Sequence, residues 1–303
     1  MLVIDGSAAR TRRATPMLKL GQSIVRRTSG RAAMTASTLT PSVPTRRISP
    51  ARMAVTDART MTWRNLRAMT RVPEVIVFST IQPIIFVLTF RYVFGGAVST
   101  PEGIEYVDFL MPGIFVQTVA FGAMNTAIGL SEDLAKGLIE RFRSLPMARS
   151  AVMTGRTIAD MVRNLGVVIL MVIVGFLVGF EIHGSWAAFG FSILLLLAFG
   201  FAMSWVFALV ALSVRNAEAA QAASFPILAI LVFASNAFVP AESMPEWLQK
   251  YNKVNPVSIV VNAVRDLCLG LPARDAVIKA LIAIAVILAI FVPLCVNRYR
   301  RAV

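Results

Sequence analysis

The sequence predicts an all-α membrane protein: six transmembrane helices, an N-terminal amphipathic interface helix, a cytoplasmic elbow and an external re-entrant helical hairpin. Three observations predict it. Of the 303 residues 57% are apolar and only 15% charged, against about 25% charged in a typical globular domain. Mean hydropathy is +0.71, and Leu, Ile, Val, Phe, Ala and Met arrive in long blocks rather than at amphipathic spacing. Lys and Arg alternate between basic loops and neutral or acidic ones. Soluble enzymes, secreted disulfide scaffolds and disordered chains are excluded. The formal charge of +14 raises the question of nucleic acid, but residues 1–71 hold fourteen Lys/Arg against two acids, Asp5 and Asp57, and the remainder is close to balanced. The expected partner is the lipid bilayer and no nucleic acid.

A membrane helix needs roughly 20 apolar residues to cross about 30 Å. Six segments qualify, at about 75–95, 109–130, 162–180, 186–212, 220–239 and 276–296. Charges such as Arg91, Asp108 and Lys279 sit near their ends, as the cost of a charge in lipid demands. Loops 96–107 and 181–185 carry no Lys or Arg, whereas loop 131–161 has five, the turn at 213–219 has Arg215 and the tail has Arg298, Arg300 and Arg301. The four basic residues of 240–275 are offset by Glu242, Glu246, Asp266 and Asp275. Basic loops face the cytoplasm, so both termini are expected there.

Residues 1–52 are rich in Arg, Ser, Thr, Ala and Pro and lack the apolar run of a secretory signal. A disordered basic arm is expected, with an upstream start before Met34 or Met53 and an organelle transit peptide as alternatives. The six-helix membrane body is 53–303. Over 54–72, Val55, Thr62, Leu66 and Met69 share one helical face, Arg64, Arg67 and Arg71 another, and Trp63 lies between. That pattern predicts a helix lying on the inner membrane surface and ending at Pro73.

In loop 131–161, Ser131 is placed to cap a helix with Glu132 and Asp133 in its first turn. Leu134, Leu138 and Phe142 form an apolar stripe, Lys136, Arg141 and Arg143 lie off it, and Leu145-Pro146 ends it. A second helix is expected to start near Ala148 and run into span three. Outside, Ser243-Met-Pro-Glu246 reads as a capping box for a short helix bearing Trp247 and Tyr251. Asn255-Pro256 breaks it, and Val257–Leu269 is too short to cross, giving a hairpin that dips into the outer leaflet.

Cys268 and Cys295 fall on opposite sides of this topology, so no disulfide joins them, and the lone His183 reads as a surface residue. No phosphate-binding loop, nucleophile elbow or zinc-protease motif occurs. Gln82, Gln117, Asn125 and Asn236 lie within the spans, for interhelical hydrogen bonds or for substrate. Gly175…Gly179 is a close-packing motif, and Pro83 and Pro226 should kink their helices. A membrane body with a large helical elbow and no motor suggests a transport subunit driven by a separate protein.

The run Glu132-Asp133-Leu134 … Gly137 … Arg141-Phe142-Arg143-Ser144-Leu145-Pro146-Met147-Ala148-Arg149-Ser150 … Gly155-Arg156 … Ala159-Asp160 is similar to the cytoplasmic loop of type-2 ABC transporter permeases of the daunorubicin/doxorubicin-resistance branch. Arg215-Asn216 … Glu218-Ala219-Ala220-Gln221 and Phe238-Val239-Pro240 … Met244-Pro245-Glu246-Trp247-Leu248 … Asn255-Pro256-Val257 resemble two further segments of that branch. The resemblance covers about 55–297. It implies a plasma (inner) membrane permease of a bacterium, exporting an amphiphilic drug, polyketide-like compound or lipid. A second permease, identical or related, would complete the path. A separate ATP-binding subunit would hold ATP and Mg, leaving no cofactor in this chain. It also implies motor coupling through Leu138, Glu140, Arg141, Phe142, Arg143, Ser144, Leu145 and Pro146, supported by the interface helix with Trp63, Arg64, Leu66, Arg67 and Arg71. A lipid-modifying membrane enzyme would need a clustered acid or His. An ion- or proton-coupled carrier would need intramembrane charge or inverted repeats. Neither feature is evident.

Overall fold

The computed structural model describes Thr60, Trp63, 73–98, Thr100, 103–135 and 149–302. The arm 1–52 and the elbow residues 136–148 lie outside the described residues, as do Arg64, Leu66, Arg67 and Arg71 of the expected interface helix. Within that helix Thr60 and Trp63 are helical and exposed.

Local chemistry sets the helix boundaries. Helix α1 (Pro73–Leu88) contains Pro83 and passes directly into a π-helical turn, Thr89–Phe94, that carries Arg91. Helix α2 (Tyr106–Ala135) runs 30 residues. Helix α3 (Arg149–Leu177) is helical from the first residue described after 148 and enters the bundle without a break. Helix α4 (Trp186–Ala211) is capped by Ser185, whose hydroxyl accepts from the Ala188 N–H, and α5 (Ala217–Phe233) by Asn216, whose side chain accepts from the Ala219 N–H. Short α6 (Glu246–Asn252) precedes α7 (Pro256–Leu269), which has Asn255 as its cap, Pro256 in its first turn and Gly270 at φ 71° as its stop. Helix α8 (Arg274–Ala302) closes the chain.

Among the described residues four helices are long and apolar enough to cross a membrane: Tyr106–Ala135, Ile158–Leu177, Trp186–Ala211 and Arg274–Arg298. The apolar stretches Ile81–Phe94 and Ala217–Phe233, at the expected first and fifth spans, are shorter. At 1.5 Å per residue the 17 residues of α5 reach about 25 Å, less than a full core thickness. After Phe233 the chain turns irregular, so Asn236 lies beyond the helix and not within a span.

Helix α2 is the axis. It packs against α4, α5, α3 and α7, and in sequence order Phe109, Leu110, Met111, Ile114, Phe115, Val116, Val119 and Ala120 are all buried. Gly175 brings α3 close: a Cβ there would lie 2.8 Å from the Met111 methyl. Its motif partner Gly179 is not on the helix face. It sits at φ 93° just past the end of α3, in a turn where the Phe180 N–H returns to the Gly175 carbonyl at 2.9 Å. Phe86, Phe90, Phe233 and Phe238 join the end of α1 and its π-helical turn to the end of α5 and the segment after it, with Phe90 and Phe238 stacked 4.5 Å apart.

Two expected caps are not formed. Ser131 is buried inside α2, which continues at least to Ala135, so Glu132 and Asp133 lie within a helix already under way and not in a first turn. Nothing between Asn125 and Ala135 is a proline or adopts positive φ, so no residue there breaks the helix. Ser243 lies in a 3-10 turn, Ala241–Ser243, and α6 opens at Glu246 after an extended Pro245. Pro245 is the cause: a proline drives the residue before it out of the α region, and Met244 is extended at φ −94°, ψ 155°.

Candidate functional site

The sequence places the coupling residues Leu138, Glu140, Arg141, Phe142, Arg143, Ser144, Leu145 and Pro146 in the elbow, outside the described residues. Its two roots are described: the last turns of α2 and the first turns of α3. Above them a polar clamp ties the helices together. The Thr126 hydroxyl donates to Asp160 Oδ2 at 2.6 Å, Arg163 Nη1 pairs with Asp160 Oδ1 at 3.5 Å, and Arg163 Nη2 donates to the Gly122 carbonyl at 2.6 Å. Asp160 is fully buried and Arg163 mostly so. A lone carboxylate there would be costly, so its pairing with the Thr126 hydroxyl and the Arg163 guanidinium is what makes the burial tolerable. Gly122 has no room for a side chain because Asn164 Oδ1 occupies the space, and the other end of the same amide lies 3.4 Å from where a Cβ of Gly200 would be. Helices α2, α3 and α4 therefore meet at one polar knot. Thr126 is nine residues, about 14 Å, from the end of α2.

A second knot lies on the opposite face. Arg265 of α7 is buried, its Nε donating to the Phe109 carbonyl at 3.0 Å and its Nη2 to the Asn236 carbonyl at 3.0 Å. Its Cζ lies 3.6 Å from the centre of the Phe109 ring. Asn236 Nδ2 donates to Asn262 Oδ1 at 2.7 Å, so this amide does bond between elements. Gly113 of α2 sits so close to the Ala237 carbonyl that a Cβ would overlap it. Beside these groups the loop between α3 and α4 docks on the end of α7: the His183 and Gly184 N–H groups both donate to the Cys268 carbonyl, at 3.0 and 2.9 Å. Asp108 Oδ1 accepts from the Glu181 N–H at 2.8 Å, and Asp108 Oδ2 is 3.7 Å from His183 Nδ1. His183 is half-exposed, as expected, but it faces a buried carboxylate.

Cys268 and Cys295 are both free and buried. Burial pushes the Cys268 thiol up to about 12, against weaker lowering by Ser192 and Arg265. Of the other amides, Gln82 is exposed, Asn125 is partly buried, and Gln117 is buried with its Oε1 unbonded. Among the described residues no group of three or more His, Cys, Asp or Glu is placed to hold a metal.

Sequence reasoning missed Arg265, counting it as one more loop charge. The signal was present: Arg265 stands four residues after Val261 and eight after Val257, on the buried stripe of an otherwise apolar helix. Asp160 entered only through the family resemblance. Arg163, three residues on, was the hint that both lie on one face.

Phe109 and Thr126 are 17 residues apart on α2, about 25 Å. One helix, with Pro112 inside it, thus carries a polar clamp toward one end and a buried arginine lock to α7 toward the other. This is a multi-pass helical membrane protein in which a single helix links two buried polar knots. Residues 56–269 match the ABC-2 type transporter family, and the chain belongs to it. It is 34% identical over 252 residues to the daunorubicin resistance ABC transporter permease of Streptomyces coeruleorubidus, covering 83% of this chain and 89% of that one. It is 26% identical over 253 residues to a probable doxorubicin resistance ABC transporter permease of Mycobacterium tuberculosis, covering 83% and 91%. The chain is an ABC transporter permease subunit, and the ABC system to which this family belongs includes an ATP-binding partner.

Proposed function

We propose that the chain is the membrane path of an ATP-driven exporter that moves an amphiphilic drug, polyketide-like compound or lipid out of a bacterial cell. The names of its relatives, which cite resistance to daunorubicin and doxorubicin, support amphiphilic cargo. ATP and Mg belong to the separate subunit, which docks on 138–146 and on the interface helix around Trp63. A second permease, a copy or a relative, completes the path in the inner membrane, with six spans per chain and both termini inside.

The observation that carries this reading is the double fixation of α2. A push on the elbow displaces the roots of α2 and α3 together, because Asp160 and Arg163 bind them. Helix α2 passes the movement to the hairpin through Arg265. A coupled carrier would need an intramembrane carboxylate open to a relay, whereas Asp160 and Asp108 are each held by fixed donors.

The test is Phe142→Ala, which removes an apolar anchor from a water-exposed elbow. Truncating an interface anchor typically costs about 2 kcal/mol or more, roughly a thirtyfold loss of affinity. Copurification of the ATP-binding subunit and substrate-stimulated ATPase should both fall, while Lys136→Ala, off the stripe, changes them little. Wild-type values for Phe142→Ala would remove 138–146 as the coupling surface. Orientation is tested separately by single-cysteine labelling in intact cells, on a background lacking Cys268 and Cys295. Thr100 and Ser243 positions should label from outside. Labelling at Ser144 would invert the proposed topology.

A further inference from the structure

We propose that the polar cavity between α6, α7 and the start of α8 binds the headgroup of a zwitterionic phospholipid with a primary ammonium, of the phosphoethanolamine type. The proposal goes beyond the export reading and does not depend on it.

The cavity holds roughly 590 Å³, inside the range of about 300–1,000 Å³ typical of small-molecule sites. Its walls carry Lys253 and Lys279, Asp266 and Asp275, and the amides Asn252 and Asn262. Two ammonium groups and two carboxylates leave the site without net formal charge. It therefore matches a ligand holding one phosphate and one ammonium, and it disfavours one holding phosphate alone. The lysines can receive the phosphate oxygens and the carboxylates the ammonium, each through charge-assisted hydrogen bonds. A primary ammonium offers three N–H donors, and a quaternary choline offers none.

Position supports a lipid source. Asp275 and Lys279 are one turn apart at the start of α8, which from Arg274 onward is long and apolar enough to cross a membrane. The cavity therefore lies at the depth of headgroups. Ile278, Leu281 and Ile282 continue from it down α8 with exposed side chains, a surface for acyl chains, and Ile259 adds an apolar patch to the cavity wall. The polar walls are also pre-set. Asn252 Nδ2 donates to the Leu248 carbonyl at 2.9 Å and the Ala234 carbonyl at 3.2 Å, and its Oδ1 accepts from the Ser258 hydroxyl. Asn262 is held by Asn236. A site fixed before binding gives up little freedom when it is filled.

The experiment uses the full chain, purified in mild detergent and reconstituted into nanodiscs of equal phosphatidylethanolamine, phosphatidylglycerol and phosphatidylcholine. Native mass spectrometry reads which lipid stays bound. The wild type should retain phosphatidylethanolamine about tenfold over either competitor, the scale of one charge-assisted hydrogen bond. Asp266→Asn with Asp275→Asn should abolish that preference and favour phosphatidylglycerol. Lys253→Ala with Lys279→Ala should lower retention of all three. Where a double variant does not elute as the wild type does, the exposed single changes Asp275→Asn and Lys253→Gln replace it. Soluble glycerophosphoethanolamine distinguishes the sources: as a headgroup without chains it should compete poorly. Equal retention of the three lipids, an unchanged preference in the aspartate variants, or full competition by the soluble headgroup would each overturn the proposal.

Discussion

Arg265→Ala tests the lock between the hairpin and the central helix. The guanidinium makes two hydrogen bonds of 3.0 Å to the carbonyls of Phe109 and Asn236, and it stacks on the Phe109 ring at 3.6 Å. A hydrogen bond to a charged group contributes about 1.5–3 kcal/mol, and a desolvated cation–π contact about 2. The gross gain is thus about 5–8 kcal/mol. Against it stands the cost of stripping water from the cation, several kcal/mol. Truncation removes both sides of that balance but leaves two carbonyls buried and unpaired, at about 1–3 kcal/mol each, and opens a void, so the net loss should be about 3–5 kcal/mol. At about 2–4 °C per kcal/mol for a body of this size, the melting temperature should drop by roughly 10 °C. Thermal unfolding in mild detergent, followed by tryptophan fluorescence, reads this directly. Arg265→Met sheds the desolvation cost and fills the volume, so it should fall about half as far. Arg265→Lys keeps the charge but loses the planar fork, and it should not restore the wild-type value. If Arg265→Ala melts within about 2 °C of the wild type, the arginine lock does not hold the hairpin.

Two further outcomes follow from close contacts. Gly113→Ala should cut the yield of monodisperse protein and lower its melting temperature, because the new Cβ meets the backbone carbonyl of Ala237; Gly166→Ala, with open space around it, should be neutral or stabilising by up to about 1 kcal/mol. Asp160→Asn should weaken the clamp and reduce substrate-stimulated ATPase more than it reduces copurification of the ATP-binding subunit, whereas Asp160→Leu with Arg163→Leu should recover stability without recovering coupling. Equal loss of copurification and coupling in Asp160→Asn would place its effect on docking and not on transmission.

Backbone punctuation was largely legible in the sequence. Asn255-Pro256 opens α7 and Gly270 closes it, as their intrinsic conformations require. Errors arose where one residue had two compatible readings. Ser131 with two acids after it fits a helix start, but it equally fits the interior of a helix that has no reason to stop. Ser243 satisfied a cap pattern whose own proline forbids the helix from beginning there. Gly179 completed a packing motif in spacing, yet the chain ends its helix at Leu177 and uses the glycine for a left-handed turn.

The polar knots were harder to see for a different reason. Loop charges were counted by side of the membrane, and that count treats Arg265 and Lys253 alike. Only the helical position of Arg265, in line with Val257 and Val261, distinguishes a buried cation from a solvated one. The same holds for Asp160, which two fixed donors, Thr126 and Arg163, turn from an expensive charge into a clamp. Such groups do little for net stability compared with apolar replacements of equal size. They do impose one register, because a slip of α2 against α3 or α7 would leave a buried charge without its partners. A fixed register at both ends of α2, about 25 Å apart, is what the transmission proposed above would require. The clamp and the lock are therefore where substitutions should separate folding from transmission. Apolar positions between them, such as Ile114 and Val119, should trade stability and transport together.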